Sequence, residues 1–195
     1  YPMLSATWIR PGFWSDEFQL RFAWSETVAR PDLREISDSA YIDPITEATV
    51  RGNPDLVPSD LSNIDLRAEW FWDSGDSMTV SLFYKDITDP IEYVQDFQAA
   101  LLYTTPINYP EGWLEGYEVE LRHEMGQTWD WLSGFTLGAN ATFIRSEVTL
   151  PDDEAEAFAS IGVPVTHRDM TNAPAYLYNL NLTYESQEYG TRVGV

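Results

Sequence analysis

The chain has 195 residues, 44% of them hydrophobic and 14% aromatic, which excludes a disordered acidic tail. Its 32 acidic residues against 11 basic ones give a formal net charge of −21, which excludes a nucleic-acid binder, because phosphate backbones need Lys and Arg to neutralise them. There is no cysteine, hence no disulfide or thiolate metal site, and no run of about 18 apolar residues to make a transmembrane helix. Any membrane role therefore has to run through strands. Eight Trp and 11 Tyr leave two uses open, ordinary packing or aromatic surfaces at a membrane interface or against sugar rings.

Two-residue alternation predicts eight strands. The first runs from Met3 to Ile9, with Leu4, Ala6 and Trp8 on one face. After a short link comes the second, Glu17 to Ser25, where Phe18, Leu20, Phe22 and Trp24 alternate with Gln19, Arg21, Ala23 and Ser25. A polar, Pro-bearing connection from Glu26 to Ser62 is too irregular to predict as strand. The third and fourth strands meet at the turn Asp73-Ser74-Gly75-Asp76. Leu66, Ala68, Trp70 and Trp72 fall on one face against Asp65, Arg67 and Glu69. On the return, Met78, Val80, Leu82 and Tyr84 oppose Thr79, Ser81, Phe83 and Lys85. A second long connection, from Asp86 to Trp113, holds an extended stretch at Pro90 to Phe97. The fifth strand, Leu114 to His123, sets Tyr117, Val119 and Leu121 against Glu118, Glu120 and Arg122. A short link precedes the sixth, Gly134 to Ile144, with Phe135, Leu137, Ala139, Ala141 and Phe143 on its apolar face. A third long connection, Arg145 to Asn172, carries Asp152, Asp153, Glu154 and Glu156. The seventh strand is Tyr176 to Tyr184, and the eighth begins at Gly190.

The connections run short, long, short, long, short, long, short. Outer-membrane barrels keep short turns on the periplasmic side and long loops outside, with a lipid-facing apolar band and a polar interior. Charges repeating on one face suit a water-filled lumen better than the dry inner face of a sandwich. The fold predicted is therefore all-β, an antiparallel transmembrane barrel segment of about eight strands. A soluble β-sheet carbohydrate-binding module and a free-standing eight-stranded barrel with a structural or adhesive role remain as alternatives.

An ordered series of motifs narrows the choice. They are Ser25, Thr27, Ala29, Arg30 and Pro31; Gly52, Asn53, Pro54, Leu56 and Pro58; Asp65, Leu66, Glu69 and Trp70; and Phe83, Tyr84, Lys85, Asp86 and Ile87. With the glycine-led GWLEGYEVEL and the late NAPAYLYNLNLTYES, this series resembles the carboxy-terminal barrel half of TonB-dependent outer-membrane receptors. The resemblance implies a larger barrel of about 22 strands, of which residues 1–195 would be a part, with the plug domain and the final strands outside it. It also implies a Gram-negative outer-membrane location, surrounding lipid, energy reaching a plug from TonB, and a captured nutrient.

Arg21, Arg67, Glu69, Glu118, Glu120 and Arg122 are then expected to line the lumen as a cross-strand salt-bridge lattice facing the plug. Tyr93, Phe97, Tyr103, Tyr109 and Trp113 are the candidate substrate-binding residues, because aromatics crowded into an external loop have no core to fill and stack well on sugars. Together with the scarcity of Lys and Arg they favour a neutral oligosaccharide over an anionic ferric siderophore. His123 and His167 stand apart, without a metal-binding or catalytic motif, so no enzyme activity, metal or cofactor is expected. The acidic stretch at 152–156 lacks the spacing of a calcium loop and reads as a solvated external loop.

Overall fold

The computed structural model describes residues 1–44, 47–98, 101–186 and 188–194, and side chains within these outside 96–98. In chain order the strands are β1 (Met3–Pro11), β2 (Glu17–Ala29), β3 (Ala40–Ile42), β4 (Thr49–Arg51), β5 (Ser59–Phe71), β6 (Ser77–Thr88), β7 (Ile91–Gln98), β8 (Leu101–Asn108), β9 (Glu111–Glu124) and β10 (Phe135–Thr149). A helix, α1 (Asp152–Ser160), precedes β11 (His167–Arg168), β12 (Tyr176–Ser186) and β13 (Thr191–Gly194).

Eight strands form an open antiparallel sheet in the order β1-β2-β5-β6-β9-β10-β12-β13, with β11 added beside β10. Each predicted strand is present, and most are longer than alternation alone suggested: β5 has 13 residues, β9 has 14 and β10 has 15. Tilted strands of about 9–11 residues suffice to cross a bilayer. No helix among the described residues is long and apolar enough to do so.

Register sorts the side chains onto two faces. Leu20, Ala68, Val80, Val119, Ala141 and Tyr178 follow one another across six strands on the apolar face. Aromatic rings border that face at both ends. Near the short turns Phe18 sits 5.2 Å from Trp70, 5.0 Å from Phe13 and 6.0 Å from Trp8, and Phe135 lies 4.7 Å from Tyr184. Near the long loops Tyr117 stacks on Phe143 at 4.9 Å, and Phe143 meets Tyr178 edge-on at 5.7 Å. Phe135 and Phe143 are eight residue steps apart on β10, roughly 27 Å at ~3.4 Å per residue. Leu66, Leu82, Leu121 and Leu180 between these rings are 38, 50, 50 and 73% exposed, far more than a soluble core face leaves open.

One position on the polar face explains how β9 and β10 approach so closely. A Cβ on Gly116 would stand 2.3 Å from the Phe143 carbonyl oxygen and 2.5 Å from Cζ of Phe83, its partner across the β6–β9 ladder. The Phe83 ring covers the glycine backbone and fills the space a side chain would otherwise take.

The long connections depart from expectation. They are not irregular: β3, β4, β8 and β7 build a second, four-stranded sheet in that order, joined by a parallel bridge between Val50 and Thr104. The acidic stretch, expected as a solvated loop, is the helix α1, whose first turn holds Asp152, Asp153 and Glu154 where a helix amino end favours carboxylates.

Candidate functional site

The polar face carries the chain of ion pairs that alternation suggested. Arg21 on β2 and Arg67 on β5 both reach Glu69, Nε to carboxylate at 3.1 Å each, and Arg67 Nη2 continues to Glu120 on β9 at 3.2 Å. Glu69 is 6% exposed, held between the two guanidinium groups. Arg122 pairs with Glu124 at 2.7 Å, and Glu118 shares the face between Ser81 and Thr142. On β10 and β12 the same face changes character: Thr136, Gly138, Asn140 and Thr142 stand opposite Thr183, Asn181, Asn179 and Leu177.

At the short-turn end, Asp76 closes the β5–β6 hairpin and ties it to β9. Its Oδ1 accepts the Glu124 N–H at 2.7 Å and lies 3.2 Å from His123 Nδ1, while the His123 ring meets Thr128 Oγ1 at 2.9 Å. Burial pushes the Asp76 carboxyl up, but the hydrogen bonds from Glu124, His123 and Ser74 outweigh it and hold the group below the usual carboxylate range.

At the long-loop end three connections pack into one body. The first is fastened at Gly52-Asn53-Pro54. A Cβ at Gly52 would stand 2.2 Å from the Ser37 carbonyl oxygen, so only glycine admits the 34–37 backbone there. Asn53 Nδ2 donates to the Pro106 carbonyl at 3.1 Å. Asn108 receives the Val57 N–H at 2.9 Å and donates to the Val57 and Asp89 carbonyls at 3.0 and 2.8 Å. Tyr93 O–H donates to Glu35, and burial together with that carboxylate raises the phenol's pKa.

The third connection docks on the second through Glu92. This carboxylate is 1% exposed and its Oε2 accepts from Arg168 Nη1 at 2.8 Å and from the Thr171 N–H and Oγ1–H, both at 2.9 Å. The Arg168 guanidinium lies 4.7 Å from the centre of the Tyr109 ring, and Tyr109 O–H donates to Glu154 Oε2 of α1 at 2.5 Å. Burial, then the Glu154 bond, push the Tyr109 phenol up to about 12 against the opposing pull of Arg168. Tyr109, Val148 and Leu150 form a small buried cluster flanked by Val94, Ile107, Phe158 and Met170. Beside it opens a cleft of about 950 Å³ bordered by Tyr93, Tyr109, Phe158, Glu154, Arg168 and Thr171, among others.

A two-faced antiparallel sheet, girdled by aromatics and bearing packed loops at one end only, agrees with a comparison of sequences: the family model described as TonB dependent receptor-like, beta-barrel, matches residues 1–195. The chain belongs to the TonB-dependent receptor β-barrel family. Among solved structures this receptor barrel is similar to the siderophore receptor PirA from Pseudomonas aeruginosa, with TM-score 0.58 and 15% identity over 96% of this chain and 31% of that one. It is similar to the copper transporter OprC, with TM-score 0.59 and 12% identity over 93% of this chain and 24% of that one. A third likeness is to the hemophore receptor HasR of Serratia marcescens, with TM-score 0.59 and 15% identity over 98% of this chain and 30% of that one. At such identities the likeness is one of fold, and the chain spans less than a third of each of these receptors. No curated protein matches the sequence.

Within the receptor barrel the five candidate aromatics occupy different settings. Tyr109 is fully buried, contrary to the expectation that loop aromatics have no core: the loops supply one by packing on each other. Trp113 lies in β9 rather than a loop, between Asp86 and Glu147 in the register, on the apolar face with Tyr117. Tyr93 and Tyr103 are half-buried on the β7–β8 hairpin, and the Phe97 side chain is outside the described residues. Among the described residues no group of three or more His, Asp or Glu converges as a metal site would require. Sequence reasoning missed Glu92, Arg168 and Thr171. One signal was present: Arg168 is the sole Lys or Arg between Leu150 and Ala175, a lone cation in an acidic segment.

Proposed function

We propose that this chain is the wall and capture-loop portion of an outer-membrane importer that takes up a scarce nutrient. Lipid surrounds the apolar face. The polar face lines the lumen and meets a plug domain, through which TonB supplies energy. The observation that carries this reading is the apolar band bounded by aromatic rings at both ends, with the loop body at one end only. The protein's part is to bind, orient and pass a solute, and no bond is made or broken.

The substrate class we favour is a neutral oligosaccharide. The net charge of −21, with Asp153 and Glu154 beside the loop cleft, repels an anionic ferric chelate. Tyr93 and Phe158 on the cleft, with Tyr103 on β8, offer ring faces to sugars. Tyr109 acts from within, by fixing α1 through Glu154.

The test is the size and behaviour of the native polypeptide in isolated outer membranes, detected with an antibody to residues 1–195 and run with and without boiling. A heat-modifiable band several times larger than this segment is expected. A band of this segment's own size would refute the importer, with its membrane or aqueous partition then separating a small barrel from a soluble binding module.

A further inference from the structure

The lumen wall is chemically divided. On β2, β5 and β9 the polar face is charged, and those charges satisfy one another in the Arg21–Glu69–Arg67–Glu120 chain and the Arg122–Glu124 pair. On β10 and β12 it is mostly uncharged: Thr136, Gly138 and Asn140 stand in register with Thr183, Asn181 and Asn179, and Glu185 follows at the end of β12. Along this strip a recess of about 350 Å³ opens over Gly138, bordered by Thr136, Asn140, Asn181 and Thr183 and walled at its sides by two acids and two bases, Glu120, Arg122, Glu185 and Arg192. That volume is at the small end of the range for ligand sites, about 300–1,000 Å³.

We infer that this recess is a binding site for a neutral, hydroxyl-rich solute, one saccharide unit of a chain in transit, held by Asn140, Asn181 and the flanking threonines. The inference rests on the proposal that this face is an importer's lumen. Gly138 shapes the recess: a Cβ there would stand 2.6 Å from Asn181 Oδ1 and 2.7 Å from its Nδ2, so a side chain would push that amide out of its present place against the sheet. Asn140 Oδ1 already accepts from Asn179 Nδ2 at 2.7 Å, which leaves the Asn140 amino group as a donor and the Asn179 oxygen as an acceptor. A carboxamide donates and accepts side by side, as each sugar hydroxyl does, so paired hydroxyls match the strip without any charge. The four charges in the lining cancel, two acids against two bases; Glu120 and Arg122 are engaged with Arg67 and Glu124, and Glu185 stands opposite Arg192 in the β12–β13 register, so the recess offers an ion no net charge. Uncharged hydrogen bonds also hold weakly enough to let a solute leave, as conduction through a pore requires.

The experiment uses the full-length receptor in its own outer membrane, compared with a receptor deletion. The probes are a radiolabelled partial hydrolysate of mixed plant and algal polysaccharides and, separately, ferric citrate. Two double variants are compared, Asn140→Ala with Asn181→Ala and the isosteric Asn140→Asp with Asn181→Asp, each first checked for a normal heat-modifiable band. The expected result is receptor-dependent sugar uptake that falls about tenfold in both doubles, while binding to de-energised cells stays within about twofold of the parent. Unchanged uptake, or an equal loss of binding and uptake, would overturn the transit site. Receptor-dependent uptake of ferric citrate alone would overturn it too and leave the importer standing. Receptor-dependent uptake of neither probe would overturn the oligosaccharide reading, and the site with it.

Discussion

Replacing Arg168 by Met in the full-length receptor strands the Glu92 carboxylate. Glu92 is 1% exposed and keeps two bonds, both from Thr171, in place of three. Leaving a buried charge without its ionic partner costs about 3–5 kcal/mol. That is roughly two to three and a half decades in the equilibrium for undocking the third loop, at about 1.4 kcal/mol per decade. The readout is cleavage by a glutamyl endopeptidase after Glu154 or Glu156, which α1 and its Tyr109 bond protect in the docked loop. Arg168→Met should raise the cleavage rate by about a hundredfold or more, up to the rate of a fully open loop. Combining it with Glu92→Gln removes the stranded charge, so the double variant should be cleaved more slowly than Arg168→Met alone. A rate for Arg168→Met within about twofold of the parent, or a double variant showing the sum of the single effects, would refute the buried-charge account.

Gly116→Ala drives a methyl into the Phe143 carbonyl and the Phe83 ring, so it should destabilise the barrel by about 1–3 kcal/mol, seen as a lower temperature for loss of the unboiled, fast-migrating form. Asp76→Asn should loosen the β5–β6 turn by about 1 kcal/mol at neutral pH. Because the Asp76 pKa is lowered by folding, its contribution is present above the ordinary carboxylate range and fades as pH falls, so parent and variant should converge below about pH 4. The Tyr109 phenol is raised to about 12, so its neutral form favours the docked loop, and that stabilisation is lost as pH climbs from about 10 through 12. The difference in tyrosinate absorbance between parent and Tyr109→Phe should therefore titrate near the upper end of that window.

Strand positions and faces were legible because a pleated strand exposes alternate residues to two different solvents. Phe18, Leu20, Phe22 and Trp24 against Gln19 and Arg21 need no tertiary knowledge to assign. The ion pairs of the polar face were legible for the same reason, since alternation places Arg67 and Glu120 on one face. The loop body was not. Thr49–Arg51 is too short to alternate visibly and becomes a strand only because β8 lies beside it. Tyr109 gives no local sign of burial, because its neighbours Val148 and Leu150 come from another connection. Asp152 to Glu156 look solvated as a charge count, yet one of them, Glu154, is the acceptor for Tyr109.

The bridge between Val50 and Thr104 joins two loops across the whole β5–β6 hairpin. Pairing of that hairpin, with β2 and β9 on its two sides, brings the loop ends together and shortens the chain the bridge must close, so loop-closure entropy favours the wall forming first. Assembly is thus biased toward one sequence, wall before crown. The outer crown works as a buckle that fastens only over a correctly registered wall: a slip of one residue in β5 or β6 would turn the greasy faces inward and pull the two halves of the buckle apart.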